Sequence, residues 1–325
     1  MALGTVVALA GQVGGAKLAE GLYRLRGRDL AVVVNTGDDY EQLGLAFSPD
    51  LDTMLYTLSG NAGEAAGWEP AGESFVLFDT LKSLGGPDRP RIGDKSLAMP
   101  ILRADGLRNE RSLSEITLEL CGHLKIKARV LPMSDDAVRT HVVTEEGTLS
   151  FQDYFLQLGC EPVVRGFDYL GAQEARVPDP VIDALHAADL EAVVLCPCNP
   201  YHSIRPILAV KGMPELLRKQ GAPVIAVTPI VGSRALRGSA AKMMRELGHE
   251  VSARGVALGY RGLIDGFVID VEDEALAESI RSVGIDVAAT RTVMRTPGER
   301  VELARAVLDF AGRLRAAKLR AAQEV

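Results

Sequence analysis

The sequence has 325 residues, 47% of them hydrophobic, enough to bury one large core and to exclude disorder as a description of the whole. Its 43 acidic against 36 basic residues give a formal charge of −7. That balance argues against a nucleic-acid partner, which is held through accumulated Lys and Arg contacts, but it leaves room for a local nucleotide pocket. No run approaches the ~18–20 apolar residues that cross a bilayer, and the opening apolar run has no basic segment before it. A cytoplasmic protein with no membrane partner is expected.

In chain order, Thr5-Val-Val-Ala-Leu-Ala10 is a short continuous apolar segment, the pattern of a strand buried on both faces of a parallel sheet. The turn Gly11-Gln-Val-Gly-Gly15 follows. A helix is then expected from Ala16, with Leu18, Leu22 and Leu25 on one face. Leu30-Ala-Val-Val-Val34 is a second buried strand, completing a βαβ unit whose crossover is right-handed. The 47–56 segment begins with Asp50 and Asp52 and then reads as a helix containing Met54, Leu55 and Leu58, residues 87–93 read as a loop, and Ser112 with Glu115 as a capping box opening another helix. Lys127-Ala-Arg-Val-Leu131 reads as a strand, and 140–143 with 147–149 as a hairpin. In the second half, 190–195 and 223–228 read as buried strands. Helices are expected over 207–220, 240–247 and 301–316, the last continuing toward a fraying tail. The whole predicts a Rossmann-like α/β fold, a mostly parallel doubly wound sheet in one domain over 1–325, with a central α+β insertion or cover over about 80–180.

Three constellations carry chemistry. Gly11, Gly14 and Gly15, with Lys17, sit between a strand and a helix, where small residues and the helix dipole suit a phosphate. The spacing is neither of the standard nucleotide fingerprints, and a purely structural turn remains the competing reading. Asn35-Thr-Gly-Asp-Asp39 ends the second strand. Its adjacent Asp38 and Asp39 offer hard oxygen ligands of the kind Mg²⁺ takes, against the alternative of a solvated turn. Asp50 and Asp52, with Thr53 beside them, stand where a helix begins, placed either to cap amides or to join Asp38 or Asp39 on one ion, with Asp52 the preferred ligand.

Farther on, Ser134 and Asp135 follow a strand and suit a polar ring or sugar, while Arg139 suits a carboxylate or phosphate, or a structural ion pair. Asn199 and Ser203 lie in a strand-end loop as phosphate, ribose or ring contacts; His202 between them suits a base, but reads rather as a structural or exposed residue for want of a necessary partner. Thr228 and Gly232 mark a later binding loop, with Arg237 or Lys242 facing an anion or solvent. Cys196-Pro-Cys198 lacks a metal-knuckle spacing, and the five histidines are scattered, so the thiols read as structural or pocket-lining and no zinc site is expected.

Together these segments resemble the phospholactate transferase family of coenzyme F420 biosynthesis. The matching stretches are Gly11-Gln-Val-Gly-Gly-Ala-Lys17, Asn35 to Asp39, Ser48 to Ser59, Leu131 to Thr140, Cys196 to Pro200 and Thr228 to Gly232. One motif departs. Where the family commonly carries Gly-Asp-x-Asp-Leu-Ala-Thr-His, this chain has Gly93-Asp-Lys-Ser-Leu-Ala-Met-Pro100, keeping Asp94 but placing Ser96 and Pro100 at the second acidic and the histidine positions. The resemblance implies transfer of a phosphorylated three-carbon acid (2-phospho-L-lactate, phosphoenolpyruvate or 3-phosphoglycerate) from a guanylyl diphosphate-linked donor to the deazaflavin precursor FO, with release of GMP. It further implies Mg²⁺ at Asp38 or Asp39 and Asp52, catalysis at Asp52 and Asp39, FO as substrate and not redox cofactor, and a homodimer. The alternative of another class is a nonenzymatic nucleotide- or deazaflavin-binding regulator.

Overall fold

The computed structural model describes residues 4–63, 69–87, 89–235 and 238–323. Seven parallel strands form the central sheet in the spatial order Asp286–Thr290, Gly266–Asp270, Val224–Val227, Leu190–Leu195, Thr5–Ala10, Leu30–Val34, Arg129–Pro132. The chain therefore starts in the middle, winds outward through Leu30–Val34 to Arg129–Pro132, then returns to the other side of its first strand. With right-handed crossovers that reversal places helices on opposite faces, the expected Rossmann-like arrangement. It also opens a crevice at the carboxyl ends of Thr5–Ala10 and Leu190–Leu195, where neighbouring connections diverge.

The central strands hold together for the reason their sequence suggests. Ala8 pairs with Val32 on one side and Val194 on the other, and every residue of Thr5–Ala10 and Leu30–Val34 is buried. Each buried Val or Leu contributes ~1.5–3 kcal/mol through lost water contact. The helix Gln12–Arg26 buries Leu18 and Leu22 and packs against the last helix, Pro297–Gln323. Gly21 sits at that crossing. A Cβ there would lie 2.1 Å from the Arg300 carbonyl oxygen, so only glycine permits the approach.

The central region contains the helices Val76–Ser83, Ala98–Arg108 and Leu113–His123 and an antiparallel sheet ordered Gly147–Ser150, Arg139–Thr144, Val164–Leu170. The capping box forms: Ser112 Oγ accepts from the Glu115 N–H at 3.1 Å, and Glu115 Oε2 from the Ser112 N–H at 2.8 Å.

Four local expectations change. The first helix begins at Gln12, inside the glycine stretch, because the glycines pack as its first turn. The expected 207–220 helix divides into Arg205–Ala209 and Met213–Lys219 at Gly212, whose φ of 87° no right-handed helix accepts. The last helix runs longer than expected, and its anticipated frayed end falls on 324–325, outside the described residues. A small hairpin, Tyr40–Gln42 with Leu45–Phe47, was not anticipated. Its turn residues Leu43 and Gly44 both have positive φ, the geometry that matches strand twist in a two-residue turn. Among the described residues no helix is long and apolar enough to cross a membrane.

Candidate functional site

The crevice at the carboxyl ends of the strands is an open groove of about 1870 Å³. Close packing at its floor explains the glycines. A Cβ on Gly11 would meet Asp50 Oδ2 at 2.5 Å, one on Gly14 the Pro197 carbonyl at 2.4 Å, and one on Gly15 Cys198 Sγ at 2.5 Å. The bare backbone lets the helix Gln12–Arg26 start directly against the Cys196–Asn199 turn. Cys198 closes the join by donating its thiol to the Gly11 carbonyl at 3.0 Å, so this thiol is both structural and groove-lining.

Asp50 ties three elements together. Its Oδ1 accepts from the Gln12 N–H at 2.9 Å, satisfying one exposed donor of the helix start, and its Oδ2 accepts from Asn35 Nδ2 at 2.9 Å. Asn35 also donates to the His202 carbonyl at 3.0 Å and accepts from the Gly37 N–H at 2.9 Å. The 35–39 turn is thereby locked, with Asp38 on the groove and Asp39 on the neighbouring pocket.

Both are buried, and each keeps one oxygen, Oδ1, without a hydrogen-bond partner. Asp38 Oδ2 lies 3.3 Å from His202 Nδ1, and Asp39 Oδ2 accepts from Ser48 Oγ at 2.6 Å. Burial raises the Asp38 pKa well above the carboxylate range, against the smaller opposing effect of Asn35 and Thr140. It lifts Asp39 to about 8, with Ser48, Arg103 and Arg139 opposing, and Asp50 to about 7. The same desolvation lowers His202 to about 4. Two adjacent buried carboxyl groups with unpartnered oxygens fit a divalent cation that keeps waters and shares substrate phosphates.

Asp52 stands in the first turn of its helix and lines the groove, where it also meets a guanidinium. Both its oxygens accept from Arg103, which is 1% exposed and also donates to the Ala46 carbonyl at 3.0 Å. Among the described residues no group of three or more His, Cys, Asp or Glu side chains is arranged to hold a metal ion. Asp38 and Asp52 both line the groove, Asp52 beside the Arg103 guanidinium, while Asp39 lines the pocket next to it.

The groove also gathers Lys17, Asp50, Thr53, Asn199 and Thr228. Lys17 Nζ donates to the Met294 carbonyl at 3.0 Å, and Asn199 Oδ1 accepts from the Tyr201 N–H at 2.9 Å. Ser203 lies fully buried beside Gly11. Arg139, with Asp39, lines an adjoining pocket of about 380 Å³. Other expected contacts have structural partners instead. Asp94 accepts from the N–H groups of Val76 and Leu77 at 3.1 and 2.9 Å, capping the helix Val76–Ser83, and Ser74 donates to the same carboxylate at 2.6 Å. Ser134 donates to the Arg176 carbonyl at 2.7 Å, and Asp135 accepts from the Ser114 N–H at 2.7 Å. Gly232 donates to Asp273, and Lys242 to Glu246 and the Pro162 carbonyl. Arg237 lies outside the described residues.

Residues 6–303 match the family model described as 2-phospho-L-lactate transferase CofD. The chain belongs to the 2-phospho-L-lactate transferase family. It is 37% identical to a 2-phospho-L-lactate transferase of Methanosarcina mazei, covering 94% of this chain and 99% of that one. It is 36% identical to a phosphoenolpyruvate transferase of Streptomyces griseus, covering 96% and 99%. A UPF0052-family crystal structure from Bacillus halodurans shares the fold, with TM-score 0.61 at 15% identity over 95% of this chain and 99% of that one. Membership makes this protein a transferase and sets it apart from a nonenzymatic regulator.

Phe151, Gln152 and Arg103, near the candidate site, were not singled out from sequence, while His202, weighed from sequence as a base or as a structural or exposed residue, is 2% exposed and faces Asp38. Phe151 stacks on its ring at a centroid distance of 4.4 Å, and Gln152 donates to the Asp38 carbonyl. Both come from the central region, more than a hundred residues after Asp38, and no local spacing connects them. Arg103 likewise sits in the helix Ala98–Arg108, whose apolar Ile101, Leu102 and Leu107 face outward, so its sequence pattern does not mark the arginine as buried. Only a buried partner distinguishes it from a surface arginine.

Proposed function

We propose that this transferase moves a phosphorylated three-carbon acid from its guanylyl diphosphate-linked donor to FO, with Mg²⁺ held by Asp38 and Asp39. What supports the metal reading is that Asp38, on the wall of the groove, and Asp39, on the adjoining pocket, are buried and each keep an oxygen without a hydrogen-bond partner. Bound there, Mg²⁺ would offset the charge of the donor's phosphates.

The chain's own residues would do the positioning. Gly11, Gly14 and Gly15 let the helix start and the Asn199 turn stand close enough to bracket a diphosphate, and Lys17 adds a positive charge on the groove wall. Arg139 stands where a second anionic group of the donor can reach it. The terminal hydroxyl oxygen of FO attacks the phosphorus bonded to the three-carbon acid, the bond to the GMP phosphate oxygen breaks, and GMP leaves with the electron pair. The hydroxyl proton passes to Asp39 or to groove water. Orientation of the two substrates, more than a dedicated base, supplies the rate.

Incubating the protein with FO, Mg²⁺ and each guanylylated donor (phospholactate, phosphoglycerate, phosphoenolpyruvate) and following products by mass spectrometry tests the proposal. GMP together with the matching F420-0 product is expected for at least one donor. Binding of FO without turnover of any of the three would refute it. The Ser96→Asp, Pro100→His double variant then asks whether the 93–100 loop sets donor ranking. Ser96 lines the groove and donates to Glu73 Oε2 at 2.6 Å, so a carboxylate at 96 would repel Glu73 and shift the loop.

A further inference from the structure

His202 is held on every side. The Asn199 side chain caps the turn Pro200–Ile204 that carries it, its carbonyl accepts from Asn35, and Phe151 stacks on its ring with planes 25° apart. Gln12 Nε2 and Ser203 Oγ approach Nδ1 at 3.5 Å, the edge of hydrogen-bonding range, while Asp38 Oδ2 is nearer at 3.3 Å. With ring plane and turn both fixed, Nδ1 is aimed at one oxygen of Asp38. Gln152 fixes the same residue through its backbone carbonyl. Asp38 is thus restrained on its main chain and on Oδ2, with the Asn35 and Thr140 side chains close by, and its Oδ1 makes no hydrogen bond among the described residues.

We infer that His202 is a positioning residue for Asp38, donating from Nδ1–H to Oδ2 so that Oδ1 is presented to a divalent cation. The inference rests on the proposed cation reading of Asp38 and Asp39. Partners that orient a ligating carboxylate lower metal affinity ~10–100-fold when lost, because the carboxylate then samples rotamers that face away from the ion. The arrangement also gives the central region a task. Phe151 and Gln152 fasten, from outside the parallel sheet, a carboxylate that the sheet delivers.

The test uses Mn²⁺ as a paramagnetic substitute for Mg²⁺, titrated into the full chain without substrates and followed by electron paramagnetic resonance. His202→Asn keeps an amide donor near the Nδ1 position, whereas His202→Gln carries it out to the Nε2 position. The Asn variant is expected to bind Mn²⁺ within ~3-fold of wild type and the Gln variant ~10–100-fold more weakly. A ¹⁵N-imidazole spectrum of the wild-type protein, with the His202 signal identified by its loss in the Asn variant, is expected to show the Nδ1–H tautomer. Wild-type affinity in the Gln variant, or an Nε2–H tautomer, overturns the inference while leaving the cation site standing. Mn²⁺ binding that Asp38→Asn and Asp39→Asn do not weaken, or no binding at all, removes the cation reading itself and the inference with it.

Discussion

Asn35 Nδ2 stands 2.9 Å from Asp50 Oδ2, joining the end of the second strand to the first turn of the Pro49–Ser59 helix at the point where the Gln12–Arg26 helix also begins. Removing the carboxylate tests how much of the site depends on that junction. Asp50→Ala leaves the Gln12 N–H and one of the two Asn35 Nδ2 hydrogens without an acceptor, the other still bonding the His202 carbonyl, and each stranded donor costs about 1–3 kcal/mol. Asp50→Asn keeps one oxygen and should lose less. Urea unfolding that ranks wild type, Asn and Ala as equal would contradict this.

The same junction makes stability pH-dependent. Burial, then the nearby Asp38 charge, raises Asp50 to about 7 from an ordinary 3.8. Between those values the unfolded chain has released the proton while the folded chain retains it, so the group's contribution is full below about 3.8 and is lost as pH rises through about 7. Asp39, raised to about 8, acts with the same sign. Without divalent cation, the melting temperature of wild type should fall relative to Asp50→Asn between pH 4 and 8. A constant difference across that window would show that Asp50 ionises as freely in the fold as outside it.

Asp52 and Asp39 should separate in their effects. Asp52→Asn leaves the buried Arg103 guanidinium without its carboxylate, a loss of about 3–5 kcal/mol by the usual cost of breaking a buried ion pair, and the Arg103→Met addition should recover part of it. Asp39→Asn should fold well and lose roughly 10²–10³-fold in kcat/KM, the scale of removing one preorganised charged group. Denaturation curves paired with turnover at several Mg²⁺ concentrations decide. An Asp52→Asn variant of native stability that has lost its Mg²⁺ response would restore Asp52 as a ligand.

Gly14 should tolerate no methyl group. Its Cβ would stand 2.4 Å from the Pro197 backbone oxygen, which has no flexible end to move aside, so Gly14→Ala should cost about 1–3 kcal/mol and disturb the Asn199 turn. Gly122, in the helix Leu113–His123, has open space at the same position, and Gly122→Ala should be neutral or stabilise by up to ~1 kcal/mol. Matched melts of the two variants check the contrast.

Sequence by itself determined the buried strands, the first βαβ unit, the Ser112 cap and the run of Asn35, Asp38, Asp39 and Asp50 that the structure gathers at the crevice. These were legible because strand burial and helix capping are local, readable within a few residues of continuous chain. Ordered motifs along the chain carried the family for the same reason. Tertiary structure alone decided which carboxylates remain available. Asp38, Asp39, Asp50 and Asp52 are the same residue type within fifteen positions. Yet Asp50 bonds Gln12 and Asn35, Asp52 bonds Arg103, and among these four only Asp38 and Asp39 have an oxygen with no hydrogen-bond partner among the described residues. The partners that make this distinction arrive from distant segments, so a carboxylate's chemistry here follows from which donors the fold brings to it, information that no local spacing contains.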